Sequence, residues 1–489
     1  MKDYHPSIYF IVGCILVCFL TIVFCLKFLI QLWQLDYPQE YREEGAVLTT
    51  GLLLKSQNPY ALDLMPVHVN VYGYIYNLVT LPFAKIFTNS IILHRIISFT
   101  FMIFATLIIY LELLHLKVSR PLALIAGFFL FIQMFIYGVE LLARSDSLGL
   151  SLFLLSVIIP FRYSFNRKGL MISFIFSLLG FFTKTYFMAG ILFIATYIFI
   201  FQSKIKGIIY IVLSMLLIVT VVLIFNHFFP TYIFNTIFIH YAEAPPYDYN
   251  HLFNQIKTFL TWNFAPLFIL IIITSKLSNV KLQIHYYWIC FMEAALLIFF
   301  SLGLHRGAYM TYFTQILTPF LLLISFSSLS RISGKILYPV LILILFNLSF
   351  WLYHSYQLPD LSGYKTAWLE WEKLFIPVQN VYNEGPLSLI LDRQGKVFFN
   401  NGQTEYFRSG LKINRRFPIL VGAEGRLKGF QEQINQSIAL KKFDMIVIPE
   451  YPYYFFDPVL LASNYNFVQF KEVPMYKAPT KMQIYYPKK

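Results

Sequence analysis

Charge is scarce in this sequence. Asp, Glu, Lys and Arg make up 13% of its 489 residues, against about 25% in an ordinary soluble domain. With 58% hydrophobic residues, most of the chain belongs in lipid. Cysteine is nearly absent: Cys14, Cys18, Cys25 and Cys290 all fall inside apolar runs, which excludes a disulfide framework and a thiolate metal site. A Gly-rich phosphate loop, a His/Cys metal spacing and a Gly-x-Ser-x-Gly elbow are also missing, so a cytoplasmic nucleotide-using site has no support. No inverted repeat with Gly- or Pro-broken helices in matching halves is visible. The first apolar run, Ile8 to Trp33, lacks a small-residue cleavage site and is too long for a signal-peptide core, so it is expected to stay as an anchor.

What charge there is follows a pattern. The formal net charge is +14, yet the basic residues are scattered through short gaps between apolar runs, which points to membrane topology and away from nucleic acid. The gaps holding Lys117/Arg120, Arg162/Arg167/Lys168, Lys204/Lys206, Lys276/Lys281 and Arg331/Lys335 contain no carboxylate. The others hold Asp36, Glu40, Glu43, Glu44, Asp63, Glu140, Asp146, Glu243 and Asp248. Basic gaps face the cytoplasm, and the alternation works only if the apolar window at 68–88 lies at the interface without crossing. The expectation is an all-α polytopic membrane protein of about eleven transmembrane helices, N-terminus inside and C-terminus outside. Windows near 262–275 and 336–353 supply two of these spans. Residues 1–353 form the membrane domain, with a first outer loop at about 34–90 and a second at about 230–261. Residues 354–489 form a small extracytoplasmic α/β domain, with a helix over Leu361–Val381, buried strands at Leu387–Leu391 and Phe443–Ile448, and a weakly alternating strand at Asn464–Glu472.

Candidate chemistry lies on the outer face. Asp36, Glu40, Glu43 and Glu44 crowd one short stretch of the first loop, where carboxylates beside a membrane must be solvated, paired or functional. The plain alternative is an acidic, water-facing loop. A carboxylate there can act as a general base for an acceptor hydroxyl or amine, and can equally bind a divalent cation. Arg144-Ser145-Asp146 lies at the outer end of the third span, either as a local ion pair or as the far side of the same site. Lys184 and the pair His305-Arg306 are cations at the same depth, suited to phosphate or simply snorkelling. Glu293, halfway along its span, should face a protein interior. The aromatic, Pro-rich loop Tyr241–Tyr249 could cover a sugar, but reads as well as a stiff interfacial loop.

One span followed by Glu43-Glu44-Gly45-Ala46, Asn58-Pro59-Tyr60, Pro66, Tyr72-Gly73-Tyr74-Ile75-Tyr76, His94-Arg95-Ile96-Ile97-Ser98 and Arg144-Ser145-Asp146-Ser147-Leu148 resembles the GT-C class of glycosyltransferases, especially bacterial relatives of protein O-mannosyltransferases and lipid A aminoarabinose transferases. The motifs cover about the first 190 residues, and beyond them the likeness is architectural. The resemblance implies an enzyme that transfers a sugar from a polyprenyl-phosphate carrier to a glycan, lipid or protein acceptor, in a bacterial inner membrane with the site outside. It places the base or metal-linked role on Glu43 or Glu44, with Asp146 across the site. This chain has Glu-Glu where the class has Asp-Glu. Lys184, Arg306, His305 and Arg144 are the implied phosphate-binding residues, and Glu43 with Asp146 the implied ligands if a magnesium or manganese ion takes part. Membrane lipid is the other implied partner, and nucleic acid is not one. The rival readings are a transporter or flippase, and a polymerase, of lipid-linked saccharides.

Overall fold

The computed structural model describes residues 8–137, 141–239, 249–259, 285–304, 313–329, 345–346, 349–350, 352–353, 361–396, 405–450, 455–475 and 479–489. The expected span at 262–275, most of that at 336–353, and the candidates Glu140, Glu243, Asp248, His305 and Arg306 lie outside them.

The chain is a polytopic bundle carrying a small α/β unit. Helix α1 (Ile8–Trp33) leads into a segment with two further helices, α2 (Tyr41–Leu54) and α3 (Ile75–Phe87), and then into α4 (Ile91–His115), α5 (Arg120–Tyr137), α6 (Asp146–Arg162), α7 (Arg167–Phe181), α8 (Gly190–Phe201) and α9 (Lys204–Phe228). Later come α10 (Tyr249–Phe259), α11 (His285–Leu304) and α12 (Thr318–Leu329). The stretches Leu16–Trp33, Ile91–His115 and Lys204–Phe228 are long and apolar enough to cross a membrane by themselves. The other apolar helices are shorter and pack laterally around α4 and α6, with a shared core that includes Met102, Phe129, Leu150, Phe153 and Phe320. The window at 68–88 yields α3, which packs on α2 through Asn77 Nδ2 donating to Ala46 O (2.8 Å) and Thr50 Oγ1 (2.9 Å).

Short turns reverse the chain between successive helices, so the described basic gaps, with Lys117/Arg120, Arg162/Arg167/Lys168 and Lys204/Lys206, gather at one end of the bundle. There Glu112 is buried on the last turn of α4, accepting from Arg162 Nε and from the Tyr287 hydroxyl, each at 2.6 Å. A buried carboxylate needs such partners, and these tie α4, α6 and α11 together. At the opposite end lie the starts of α4 and α6, the α7–α8 turn, and the α2–α3 segment.

The tail forms a four-stranded sheet in the order β1-β2-β4-β3: β1 (Val381–Asn383), β2 (Met445–Pro449), β3 (Tyr465–Val473) and β4 (Thr480–Pro487). The β1/β2 pair is parallel and the others antiparallel. Around it lie α13 (Leu361–Phe375), α14 (Ser388–Arg393), α15 (Glu405–Asn414), α16 (Ala423–Ala439) and α17 (Pro458–Asn464). Two expectations need correcting. Leu387–Leu391 leads into helix α14 and is no strand: a short apolar run has no decisive period, and Leu387, Ile390 and Leu391 meet the core at helical spacing. The helix expected to reach Val381 ends at Phe375, two residues before Pro377, and Val381 opens β1.

The tail rests on the α2 region. Tyr37 stacks on the buried Trp368 with centroids 5.4 Å apart and planes at 3°; Arg393 Nη1 donates to Asp36 O at 2.7 Å; and α15 packs on a π-helical turn, Phe234–Phe238, after α9.

Candidate functional site

Two clusters of ionised groups meet at the end of the bundle opposite the basic gaps. The first is closed. Glu43, on the first turn of α2, is fully buried with both oxygens occupied. Its Oε1 accepts from Arg95 Nε and the Ala143 backbone N–H (2.8 Å each), and its Oε2 from Arg95 Nη2 (2.8 Å) and the Gln39 N–H (2.7 Å). Arg95 spends its remaining donors on the carbonyls of Leu32, Leu35 and Tyr37 at 2.7–2.8 Å. The guanidinium's full set of N–H donors is thereby used, on the segment that carries the chain from α1 to α2. A bidentate pair this well satisfied orders what surrounds it.

The second cluster is more open. Asp146, first residue of α6, takes Lys184 Nζ (2.6 Å) and Gln315 Nε2 (3.0 Å) on Oδ1, and Arg144 Nε (2.9 Å) on Oδ2. Arg144 also donates from Nη1 to Glu40 Oε2 (2.7 Å), and its Nη2 reaches the Tyr72 hydroxyl at 3.4 Å. Lys184 Nζ stands 4.5 Å from the Tyr72 ring centroid. Arg42 holds Glu40 Oε1. Burial pushes the Glu40 carboxyl up, but Arg144 and Arg42 outweigh it and hold it below the usual carboxylate range. The Glu40 side chain keeps 20% of its surface exposed, against none for Glu43.

Local structure explains the placement. The turn before α6 is pinned by Ser98 Oγ donating to Arg144 O (2.9 Å) and by Ser147 Oγ to Ser98 O (2.7 Å). Tyr72 is set by Asn70, whose Oδ1 accepts the Tyr72 N–H (3.2 Å), and by the Tyr60 hydroxyl, which donates to Tyr72 O (2.5 Å). Gly73 lies flat on the α7–α8 turn, its N–H donating to Thr183 O at 3.2 Å; a Cβ there would come within 1.9 Å of Phe182 O.

The fold and these clusters can be set beside known proteins. No protein-family model matches the sequence, and no curated protein matches it. Solved structures do: ArnT from Cupriavidus metallidurans in the apo state superposes with a TM-score of 0.60 at 11% identity, covering 95% of this chain and 97% of that one. The chain has the ArnT fold. ArnT from the same organism bound to undecaprenyl phosphate gives a TM-score of 0.57, also at 11% identity, over 98% of both chains. ArnT is an aminoarabinose transferase of the GT-C glycosyltransferases.

Against this ArnT-like frame, Asp146, Arg144 and Lys184 come together, whereas Glu43 belongs to the Arg95 cluster. Glu44 is fully buried beneath the tail, its Oε2 accepting the Leu389 N–H at 3.2 Å. For a divalent ion, Glu43 and Asp146 as arranged present oxygens already taken by cations and N–H groups, and among the described residues no three His, Cys, Asp or Glu side chains converge as ligands. Glu293 lies outside both clusters, on α11 facing Thr196 of α8. Sequence reasoning named Glu40 as one of four first-loop carboxylates without singling it out, and gave no role to Tyr72, Arg95 or Gln315. Glu40, Tyr72 and Arg95 stood in the quoted stretches, and an arginine inside an apolar helix is itself a signal for a buried acidic partner. Gln315 had no comparable signal.

Proposed function

We propose that this chain transfers a sugar from a polyprenyl-phosphate carrier to an acceptor glycan, lipid or protein, at the extracytoplasmic face of a bacterial inner membrane. The observation that carries the reading is the convergence of Arg144 and Lys184 on Asp146 at one membrane-end of the bundle, in a fold shared with an ArnT that binds undecaprenyl phosphate. Arginine offers a planar fork and lysine a point charge for a phosphate leaving group, and Asp146 holds both cations in place before the donor arrives. Such preorganised charge stabilises the departing phosphate without reorganisation during reaction. Arg306 and His305 remain proposed contributors to the same phosphate site. Glu43 and Glu44 are proposed to act by fixing the first loop. Clustering of the cations and carboxylates at one end favours an enzyme over alternating access.

The test is transfer of radiolabelled sugar from a panel of polyprenyl-phosphate sugars to membrane extract by the purified protein and by Asp146→Asn and Lys184→Met. Transfer by the wild type, reduced by about a hundredfold or more in folded variants, is the expected result. Donor binding without transfer to any acceptor would replace this reading with the transporter.

A further inference from the structure

The first-loop carboxylates differ in what they are free to do. Glu43 has both oxygens filled, and Glu44 is buried under the tail. Asp36 is bound to Arg393 at 3.0 Å, on the tail side of the loop. Glu40 alone among Asp36, Glu40, Glu43 and Glu44 touches the Arg144–Asp146–Lys184 cluster, and does so through Oε2 on Arg144. Its other oxygen stays on Arg42, whose guanidinium lies 4.8 Å from the Tyr41 ring centroid.

This arrangement sets a conflict. A phosphate drawn to Arg144 and Lys184 needs guanidinium N–H groups, and Nη1 of Arg144 is given to Glu40. Asp146 sits on Nε, lies fully buried and is also tied to Lys184 and Gln315, so it is the harder of the two carboxylates to displace. Glu40 is partly exposed and has Arg42 to retain it. Building on the proposed transferase activity, we propose that Glu40 stands on Arg144 where the donor phosphate binds, and that phosphate binding releases Glu40 Oε2 to take the acceptor's proton.

The step balances. The acceptor oxygen or nitrogen bonds to the anomeric carbon, and the bond from that carbon to the phosphate oxygen breaks with its electron pair going to the phosphate. The acceptor proton passes to Glu40 Oε2 and then to water. While Arg144 and Arg42 both hold it, this carboxylate is a poor base. Losing Arg144 to the phosphate raises its proton affinity at the moment a donor is in place, so the base is weak in the resting protein and strong in the donor complex.

The inference predicts opposite signs for binding and turnover. In the full-length protein in detergent, Glu40→Gln removes the competing anion, and undecaprenyl phosphate should bind about tenfold tighter, while sugar transfer falls about a hundredfold or more. Glu40→Asp, too short to keep the 2.7 Å contact with Arg144, should also bind more tightly, and it is read in the same assay if Glu40→Gln does not fold. Weaker or unchanged binding in a variant that melts with the wild type overturns the displacement. Tighter binding with undiminished transfer overturns the proton role. If the wild type binds no undecaprenyl phosphate, the proposed function itself falls, an outcome separate from either.

Discussion

Residue identities at this site fall into charges that build and charges that face outward. The motif Glu43-Glu44 was legible as acidic, but its chemistry depended on Arg95, 52 residues away in sequence and bidentate on Glu43, and no local spacing encodes that pairing. Asn58 and Tyr60 were quotable as a pattern, and both hold backbone: Asn58 Nδ2 donates to Phe228 O (2.9 Å) and the Tyr60 hydroxyl to Tyr72 O, which sets the Tyr72 ring beside Lys184 and Arg144. His68 is a further buried group, with Nε2 at 3.2 Å from Thr49 Oγ1 of α2. Burial lowers its pKa from 6.5 to about 4. Its folded value lies below its unfolded one, so the stability it confers is complete above pH 6.5 and is lost as pH falls towards 4, on the order of 3 kcal/mol in all. Melting temperature should drop across that window in the wild type and drop less in His68→Gln; parallel curves would remove His68 as the cause.

At the scale of elements, composition was enough for the helices and too little for their joints. The apolar run from Ile8 to Trp33 coincides with α1, because lipid demands a continuous helix. The joints depend on close approach, which no window records. Gly73 is the clearest instance, since it lets the chain bearing Tyr72 lie against the turn bearing Lys184. Gly73→Ala must push these backbones apart, because the atoms a Cβ would meet are Phe182 C, Phe182 O and Thr183 N, which cannot swing away. A displacement near 1 Å costs about a hundredfold in rate. Sugar transfer should fall by that order in Gly73→Ala and stay at the wild-type level in Gly425→Ala, where a Cβ meets nothing within 4 Å. Equal activities in the two would show that the approach is incidental. In the tail, β2 was readable from its apolar run and β3 from a weak alternation, while α14 was misread and β1 and β4 unseen, because short segments take their conformation from the sheet they join.

For the whole molecule, the tail and the bundle share a core. Leu35 and Tyr37 from the α1–α2 connection pack with Trp368, Trp371, Ile390 and Met445 of the tail, so the α2 region is gripped from both sides. Trp368→Ala should cost about 3–5 kcal/mol and loosen Asp36–Tyr41. Limited proteolysis there should accelerate, and an unchanged cleavage rate would mean that the tail rests on the loop without restraining it. The contact between Leu389 and Glu44 also imposes an order in time. Glu44 leaves the ribosome 345 residues before its partner, a delay of about 20 to 70 s at ordinary elongation rates. For that interval the nascent chain holds Arg95 and Glu43 but has no roof over α2. The α2 region is therefore completed last, and a product released early from the ribosome carries the membrane helices without the tail that covers Glu44.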